Sequence, residues 1–429
     1  MEKIVIPGRV KISGEIDAIS SKSDLHRLII CACLSGSRVR IKYSSELSSD
    51  INATIDCMTA LGAKIDVQSG VITIREPINF ESIPDSPVLD CRESGSTARF
   101  LLPLASFIGK GITLTGRGKL PERPFRDLCE SLERAGAVFS SHNIPITVEA
   151  PINPDFDGCF EISGNVSSQY LSALLFILPV CRAKGIKLTT PLESAGYADM
   201  TIGAIGRFGA QIVEKDGVYT CLKGYGKPEG DICAEGDWSN AAFWLCAACG
   251  DGEISVRGLS KSSSQPDRAV IDILESMGAG LCAKDGCVKI SAGERLRGTE
   301  IDAKNIPDLV PVLCVRAAVA DGVTHITNVS RLRIKESDRI EAVSELLKNL
   351  GGRIETTDND IWITGIQKLR GGKVDSFNDH RIAMSAAIAA AFSDGDVEIS
   401  DFRAVEKSYP LFFEHFKALS GEKELKIYE

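Results

Sequence analysis

Apolar and polar positions along this chain follow two periods that take turns. Segments such as Val71-Ile72-Thr73-Ile74, Glu253-Ile254-Ser255-Val256, Thr324-His325-Ile326-Thr327 and Ile361-Trp362-Ile363 are short, apolar-rich and largely alternating, which predicts half-buried strands. Between such segments lie Ala- and Leu-rich runs, as at 171–178, 241–248 and 382–391, that predict buried helices. Ile340, Val343, Leu346, Leu347 and Leu350 recur at helical spacing and predict a helix over 340–350 with Ser337 as its N-cap. A strand is expected over 2–16, and a second kind of helix, such as 269–277, ends each stretch.

The alternation repeats. A Gly-small pair closes a helix at Leu61-Gly62-Ala63, Ala135-Gly136-Ala137, Phe208-Gly209-Ala210, Met277-Gly278-Ala279 and Leu350-Gly351-Gly352. Successive pairs stand about 70 residues apart, the signature of an internal structural repeat. Glycine there reads as a helix C-cap, because it enters the left-handed region without a Cβ penalty. Six units fit, starting near Ser20, Glu93, Asn165, Glu235, Ile306 and Asn378. The sixth stops after its second helix, so the N-terminal strand is expected to complete it. The chain then crosses between two lobes near Ile19 and Glu235. The N-terminal lobe is expected over 20–235, and the C-terminal lobe over 1–19 with 236–429.

Length and composition agree with two soluble lobes. The chain has 429 residues, 44% apolar and 25% charged. Its most apolar run, over 170–181, is shorter than the roughly 18 residues a membrane span needs. A net charge of −9 speaks against nonspecific nucleic-acid binding. The opening residues enter a strand pattern with no charged and apolar leader, so the cytoplasm is expected. The 14 cysteines are scattered through apolar stretches and read as buried thiols. Cys246 and Cys249 form a C-x-x-C without a second pair at ligand spacing, so no metal is expected. No P-loop or complete dinucleotide fingerprint occurs.

The chemistry collects where the helices open. Ser20-Ser21-Lys22-Ser23-Asp24-Leu25-His26-Arg27 and Glu93-Ser94-Gly95-Ser96-Thr97-Ala98-Arg99 open the first two units. Gly164-Asn165-Val166-Ser167-Ser168-Gln169 opens the third, and Ile306-Pro307-Asp308 the fifth. Hydroxyl-rich helix starts offer free N–H groups and a positive dipole end to an anion. Arg123 stands in Leu120-Pro121-Glu122-Arg123-Pro124, and Lys335, Glu336 and Arg339 lie in the charged approach to the helix at 340–350. Asn378-Asp379-His380-Arg381 opens the sixth unit, with Lys407 beyond it. Taken singly, these are N-caps and solvated charges. Equivalent corners of a repeat can converge, and Lys22, Arg27, Arg123, Lys335, Arg339, Arg381 and Lys407 together would need a polyanionic ligand. Asp308 and Glu336 would then be carboxylates set in a cationic field, as acid and base catalysts are.

In this order, Ser21-Lys22-Ser23 with Arg27, Glu122-Arg123-Pro124, Ser167-Ser168-Gln169, Ile306-Pro307-Asp308, Lys335-Glu336-Ser337-Asp338-Arg339, Asn378-Asp379-His380-Arg381 and Lys407 resemble the 5-enolpyruvylshikimate-3-phosphate synthase family of enolpyruvyl transferases. The resemblance spans nearly the whole chain. It implies an α/β fold of two similar lobes, each of three βαβαββ units forming an inside-out α/β barrel, with the active site in the cleft between them. It implies that Lys22, Ser23, Arg27, Ser167, Ser168, Gln169, Ser194, Asp308 and Lys335 meet shikimate-3-phosphate. Lys22, Gly95, Arg123, Gln169, Arg339, Arg381 and Lys407 would meet phosphoenolpyruvate. Asp308, Glu336 and Lys22 would be catalytic, Asp308 as the base for the attacking hydroxyl and Glu336 as the proton donor to the methylene carbon. No cofactor or metal is implied, and a monomer is expected. The family usually has Asn at the position of Glu93, where a carboxylate repels an anion unless it is turned away or paired. The sister enzyme acting on UDP-N-acetylglucosamine shares the fold, but it typically carries a Cys in the loop matching 116–123, which has none here. A non-enzymatic repeat scaffold is the alternative of another kind.

Overall fold

The computed structural model describes residues 2–428 apart from 166, 249–251, 285, 292–294 and 423–424. The chain divides into two compact units, Ser20–Ala234 and Met1–Ile19 with Glu235–Glu429. They are called here the N-terminal and C-terminal lobes. Each has its own apolar core.

Among the described residues, twelve α-helices are distributed two per repeat. In the N-terminal lobe they are α1 (Lys22–Leu34), α2 (Ser49–Ala60), α3 (Gly95–Ile108), α4 (Arg126–Glu133), α5 (Ser168–Ile177) and α6 (Ala195–Arg207). In the C-terminal lobe they are α7 (Trp238–Ala248), α8 (Val270–Ser276), α9 (Val310–Ala317), α10 (Arg339–Asn349), α11 (His380–Ala389) and α12 (Phe412–Ser420). The first helix of each repeat is the buried one. Every residue of α9 and α11 is buried, and α5 leaves only Gln169 partly open. A helix apolar on all sides must lie inside, and α7, α9 and α11 pack on one another.

Among the described residues there are six four-stranded sheets, one per repeat. In the third repeat, Cys159–Ile162 runs parallel to Gly185–Leu188, and an antiparallel hairpin of Gln211–Lys215 and Val218–Lys223 completes the sheet. The order strand, helix, strand, helix, strand, strand is the expected unit. Each sheet holds a strand that precedes the buried helix in the chain or stands in for it, so the repeat phase begins earlier than the helix starts suggested. The glycines of the Gly-small pairs all turn left-handed, with φ from +77° to +105°.

Two details depart from the sequence reading. The stretch 2–16 is two strands, not one: Lys3–Ile6 joins the sixth repeat's sheet, while Gly14–Asp17 pairs in parallel with Ile254–Arg257 of the fourth. Conversely, Ile232–Cys233, just before α7, pairs in parallel with Val39–Lys42 of the first. The opening strands of the first and fourth repeats are therefore exchanged at the points where the chain passes between lobes. The sixth repeat also does not end at its second helix, because Lys426–Tyr428 pairs antiparallel with Lys3–Ile6. That strand is exposed and carries too little apolar alternation to announce itself.

Candidate active site

In the N-terminal lobe, Ser21 caps α1 by accepting from the Asp24 N–H. Lys22 then starts the helix, and its Nζ lies 2.9 Å from Asp50 in the first turn of α2. One turn on, Arg27 is 2% exposed. Its Nε donates to the Thr201 hydroxyl at 2.8 Å and an Nη to the Tyr197 carbonyl at 3.0 Å, with the Phe100 ring 5.2 Å away. Burial pulls this guanidinium down to about 10, against Asp24, so it remains charged at neutral pH. Ser23 is partly open beside Lys22. Ser194, at the start of α6, is 1% exposed and sits at φ +54°, a costly conformation for a side chain that is not Gly.

Ser94 caps α3, and Gly95 is its first residue. A Cβ on Gly95 would lie 2.4 Å from Nη1 of Arg123. Only glycine lets this buried guanidinium lie flat on the helix start. Gln169, held by the Ser167 cap of α5, accepts from Arg99 at 2.7 Å and donates to Ser96 at 2.9 Å. Arg99 also reaches the Pro124 carbonyl, next to Arg123, and stands near the Phe125 and Tyr170 rings. Gly95, Arg123 and Gln169 are thus drawn into one cluster, with Arg99 as the link the sequence did not single out. The Glu93 carboxylate packs against Gly118, where an added Cβ would meet Oε2 at 2.5 Å. Beneath Lys22, buried His26, Thr54, Thr97 and Ser94 form a hydrogen-bonded chain of 2.7, 2.7 and 2.8 Å that ties the starts of α1 and α3 together. Burial, then Lys22 and Arg27, push His26 well below the ordinary imidazole range, so it is neutral. Ser168 follows the Ser167 cap in the first turn of α5; Val166 of this motif lies outside the described residues.

The C-terminal lobe arranges its charges differently. Arg339, 1% exposed, binds three carboxylates at once. Its Nη1 is 2.7 Å from Asp308, its Nη2 2.8 Å from Glu336, and its Nε 2.8 Å from Asp379. Asp308 also receives Lys335 at 3.5 Å on the same oxygen and Arg381 at 3.5 Å on the other. Burial opposes ionisation of Asp308, but Lys335, Arg381 and Arg339 outweigh it and hold the carboxyl well below the usual carboxylate range. Burial, followed by Arg339 and Arg331, pulls Lys335 down despite Asp308 and Glu336. Arg381, 3% exposed, donates to the Ser239 carbonyl at 3.1 Å and stands near the Phe243 ring. Lys407 donates to the Asn378 carbonyl.

Two helix starts here differ from expectation. Asp338, not Ser337, caps α10, accepting from the Ile340 and Glu341 N–H groups. A carboxylate answers the positive helix end better, and the Ser337 hydroxyl instead donates to Asp379 at 3.0 Å. Asp308 precedes α9 but does not cap it: the cap position is Leu309, without a side-chain bond. Its carboxylate is spent entirely on cations, which removes the plain N-cap reading. Asp379 serves twice, capping α11 through the Arg381 N–H and holding Arg339. Among the described residues no group of three metal-ligating side chains occurs, and no helix is long and apolar enough to cross a membrane. Cys246 is buried in α7, and Cys249 lies outside the described residues.

Six βαβαββ repeats in two units, with cations and carboxylates at the helix starts, define the enolpyruvyl transferase architecture. The chain belongs to the EPSP synthase family: the family described as EPSP synthase (3-phosphoshikimate 1-carboxyvinyltransferase) matches residues 6–416. It is 39% identical over 425 residues to the 3-phosphoshikimate 1-carboxyvinyltransferase of Clostridioides difficile, covering 96% of each chain. It is 40% identical over 427 residues to that of Clostridium perfringens, covering 98% of this chain and 99% of the other. The fold also matches a crystal structure of EPSP synthase from Acinetobacter baumannii with a TM-score of 0.80 at 24% identity, over 100% of both chains.

Proposed function

We propose that this chain transfers the enolpyruvyl group of phosphoenolpyruvate to the 5-hydroxyl of shikimate-3-phosphate, releasing phosphate, in the biosynthesis of chorismate and the aromatic amino acids. The observation that carries the reading is the set of carboxylates at 2.7–2.8 Å around Arg339. Asp308 is ionised at neutral pH, as a proton acceptor must be, and Glu336 is fixed on the same guanidinium. Asp308 takes the proton of the substrate hydroxyl as its oxygen bonds to C2 of phosphoenolpyruvate. Glu336, which must first take up a proton from solvent, gives that proton to C3, and a tetrahedral ketal results. In the second half, the C2–O bond to phosphate breaks, C3 returns its proton, and the enol ether forms.

Lys22, Ser23, Arg27, Ser167, Ser168, Gln169, Ser194 and Lys335 receive shikimate-3-phosphate in this reading. Lys22, Gly95, Arg123, Gln169, Arg339, Arg381 and Lys407 receive phosphoenolpyruvate. Donors fixed before the reaction stabilise the charge that develops on phosphate without reorganising. The reading places a monomeric enzyme in the cytoplasm and requires neither metal nor organic cofactor. Phosphate release from phosphoenolpyruvate with each acceptor in turn tests it. Release is expected with shikimate-3-phosphate and not with UDP-N-acetylglucosamine. Release with the sugar nucleotide alone, or with neither, overturns it.

A further inference from the structure

Asp267 lies in the turn Pro266–Ala269 ahead of α8 and is 2% exposed. One carboxyl oxygen accepts from the Ser239 hydroxyl, in the first turn of α7. The other is buried without a hydrogen-bond partner. Among the described residues it makes no ion pair, unlike Asp308, Glu336 and Asp379, which all rest on Arg339. An ionised carboxylate with one dry, unpaired oxygen is costly. The groups that face it are Asp308 ahead of α9, Arg381 from α11, and Asp237 and Ser239 from the start of α7. Two of these charges repel it.

Arg381 is the cation among these groups, and it meets Asp267 through Ser239. Its Nη1 holds the carbonyl of Ser239, the residue whose hydroxyl is bonded to Asp267. Its Nη2 reaches Asp308 only at 3.5 Å, and its Nε is buried without a partner. Arg339 has no such slack. A proton on Asp267 leaves Arg381 free of a second anion; losing that proton supplies one.

We propose that Asp267 is a positioning residue that carries a proton in the working enzyme and, by staying neutral, keeps Arg381 available to an anionic substrate. This rests on the assignment of Arg381 to phosphoenolpyruvate made above. Burial first, then Asp308, push the Asp267 carboxyl up to about 7, against Arg381 and the Ser239 hydroxyl. The sign follows: below that pH Asp267 is neutral and Arg381 available, and above it the new charge competes with the substrate. Asp308, held far lower, stays ionised throughout this window and does not contribute.

The experiment is the KM for phosphoenolpyruvate from pH 6.5 to 9, at saturating shikimate-3-phosphate, for the wild type, Asp267→Asn and Ser239→Ala. The wild-type KM is expected to rise about five- to tenfold above neutrality, the size of an ordinary coupling between two sites. Asp267→Asn, which cannot ionise, should lose that rise. Ser239→Ala, lacking the hydroxyl that favours the ionised form, should move it to higher pH. Ionisation of the substrate's own phosphate is common to all three proteins. A wild-type KM that does not rise overturns the proposal, as does an unchanged rise in Asp267→Asn. If Asp267→Asn does not fold, an unshifted rise in Ser239→Ala overturns it. Absence of any shikimate-3-phosphate-dependent phosphate release in the wild type would instead sink the functional reading itself, so the two failures are distinct.

Discussion

The two lobes hold their candidate site cations by opposite means. In the N-terminal lobe, Arg27 and Arg99 rest on neutral oxygens: a hydroxyl, an amide and backbone carbonyls. Lys22, with Asp50, departs from this pattern, as Lys407 does in the other lobe by donating to the Asn378 carbonyl. In the C-terminal lobe, Lys335, Arg339 and Arg381 all touch Asp308, and Arg339 touches two further carboxylates. A guanidinium on neutral partners keeps its full charge for a ligand. One surrounded by carboxylates gives much of that field up, but it orients those carboxylates and fixes their protonation. The N-terminal set is therefore suited to hold anions, and the C-terminal set to move protons.

The largest effect should come from neutralising the carboxylates. Asp308→Asn and Glu336→Gln keep shape and remove proton transfer, so each is expected to lower kcat by about 10²–10⁴-fold, the usual contribution of a positioned acid or base. Binding of phosphoenolpyruvate should hold or tighten, because Lys335, Arg339 and Arg381 lose a competing charge in Asp308→Asn. Turnover measured beside equilibrium binding checks both parts. A variant with near wild-type kcat would show that its carboxylate only balances charge.

Removing the central cation probes the same contrast through stability. Arg339→Ala leaves three carboxylates around a buried gap. Breaking a buried pair in this way costs about 3–5 kcal/mol. Arg27→Ala, equally buried, strands a hydroxyl and the Ser23 and Tyr197 carbonyls but no carboxylate, at about 1–3 kcal/mol. Urea unfolding should therefore give Arg339→Ala the lower midpoint, with Arg339→Lys in between because it keeps the charge but not the fork. Equal losses for Arg27→Ala and Arg339→Ala would erase the distinction between the lobes.

The sequence made the repeat readable because a left-handed C-cap demands Gly, and Gly62, Gly136, Gly209, Gly278 and Gly351 recur in register. The buried helices were readable because they lack a polar face. What it did not display is pairing at a distance. Gly14–Asp17 and Ile232–Cys233 are too short to announce their partners, and which sheet each joins depends on where the chain changes lobe. The helix-start motifs pointed at Asp308, Glu336 and Arg339, but not at one guanidinium holding the two carboxylates. That depends on Asp379, 40 positions away, which reads locally as a cap. Asp267 and Arg99 carried no signal beyond charge, since burial and the identity of the neighbours decide what they do. Ser337 failed as a cap for the same reason: a distant carboxylate took its hydroxyl.

The smallest expected effect tests an N-terminal contact that depends on the absence of a side chain. A Cβ at Gly95 would lie 2.4 Å from Nη1 and 2.6 Å from Cζ of Arg123, so Gly95→Ala must push the guanidinium aside. Gly95 is not among the glycines with positive φ, so alanine fits the backbone. The unfolded chain loses freedom, worth about 0.4–1 kcal/mol in favour of the variant, which offsets part of the displacement. Stability should change little. Catalysis should not escape, since a shift of about 1 Å in a positioned group can cost up to 10²-fold; a fall of about 10- to 100-fold in kcat/KM for phosphoenolpyruvate is expected, carried mainly by KM. Arg123→Lys provides the control. A lysine has no planar fork to lie over the helix start, so in that background the added methyl meets little. Gly95→Ala should then cost almost nothing further, and the two substitutions should be strongly non-additive, as contacting residues are. Full additivity would mean that Gly95 acts on the anion without Arg123, and the cluster built around their contact would come apart.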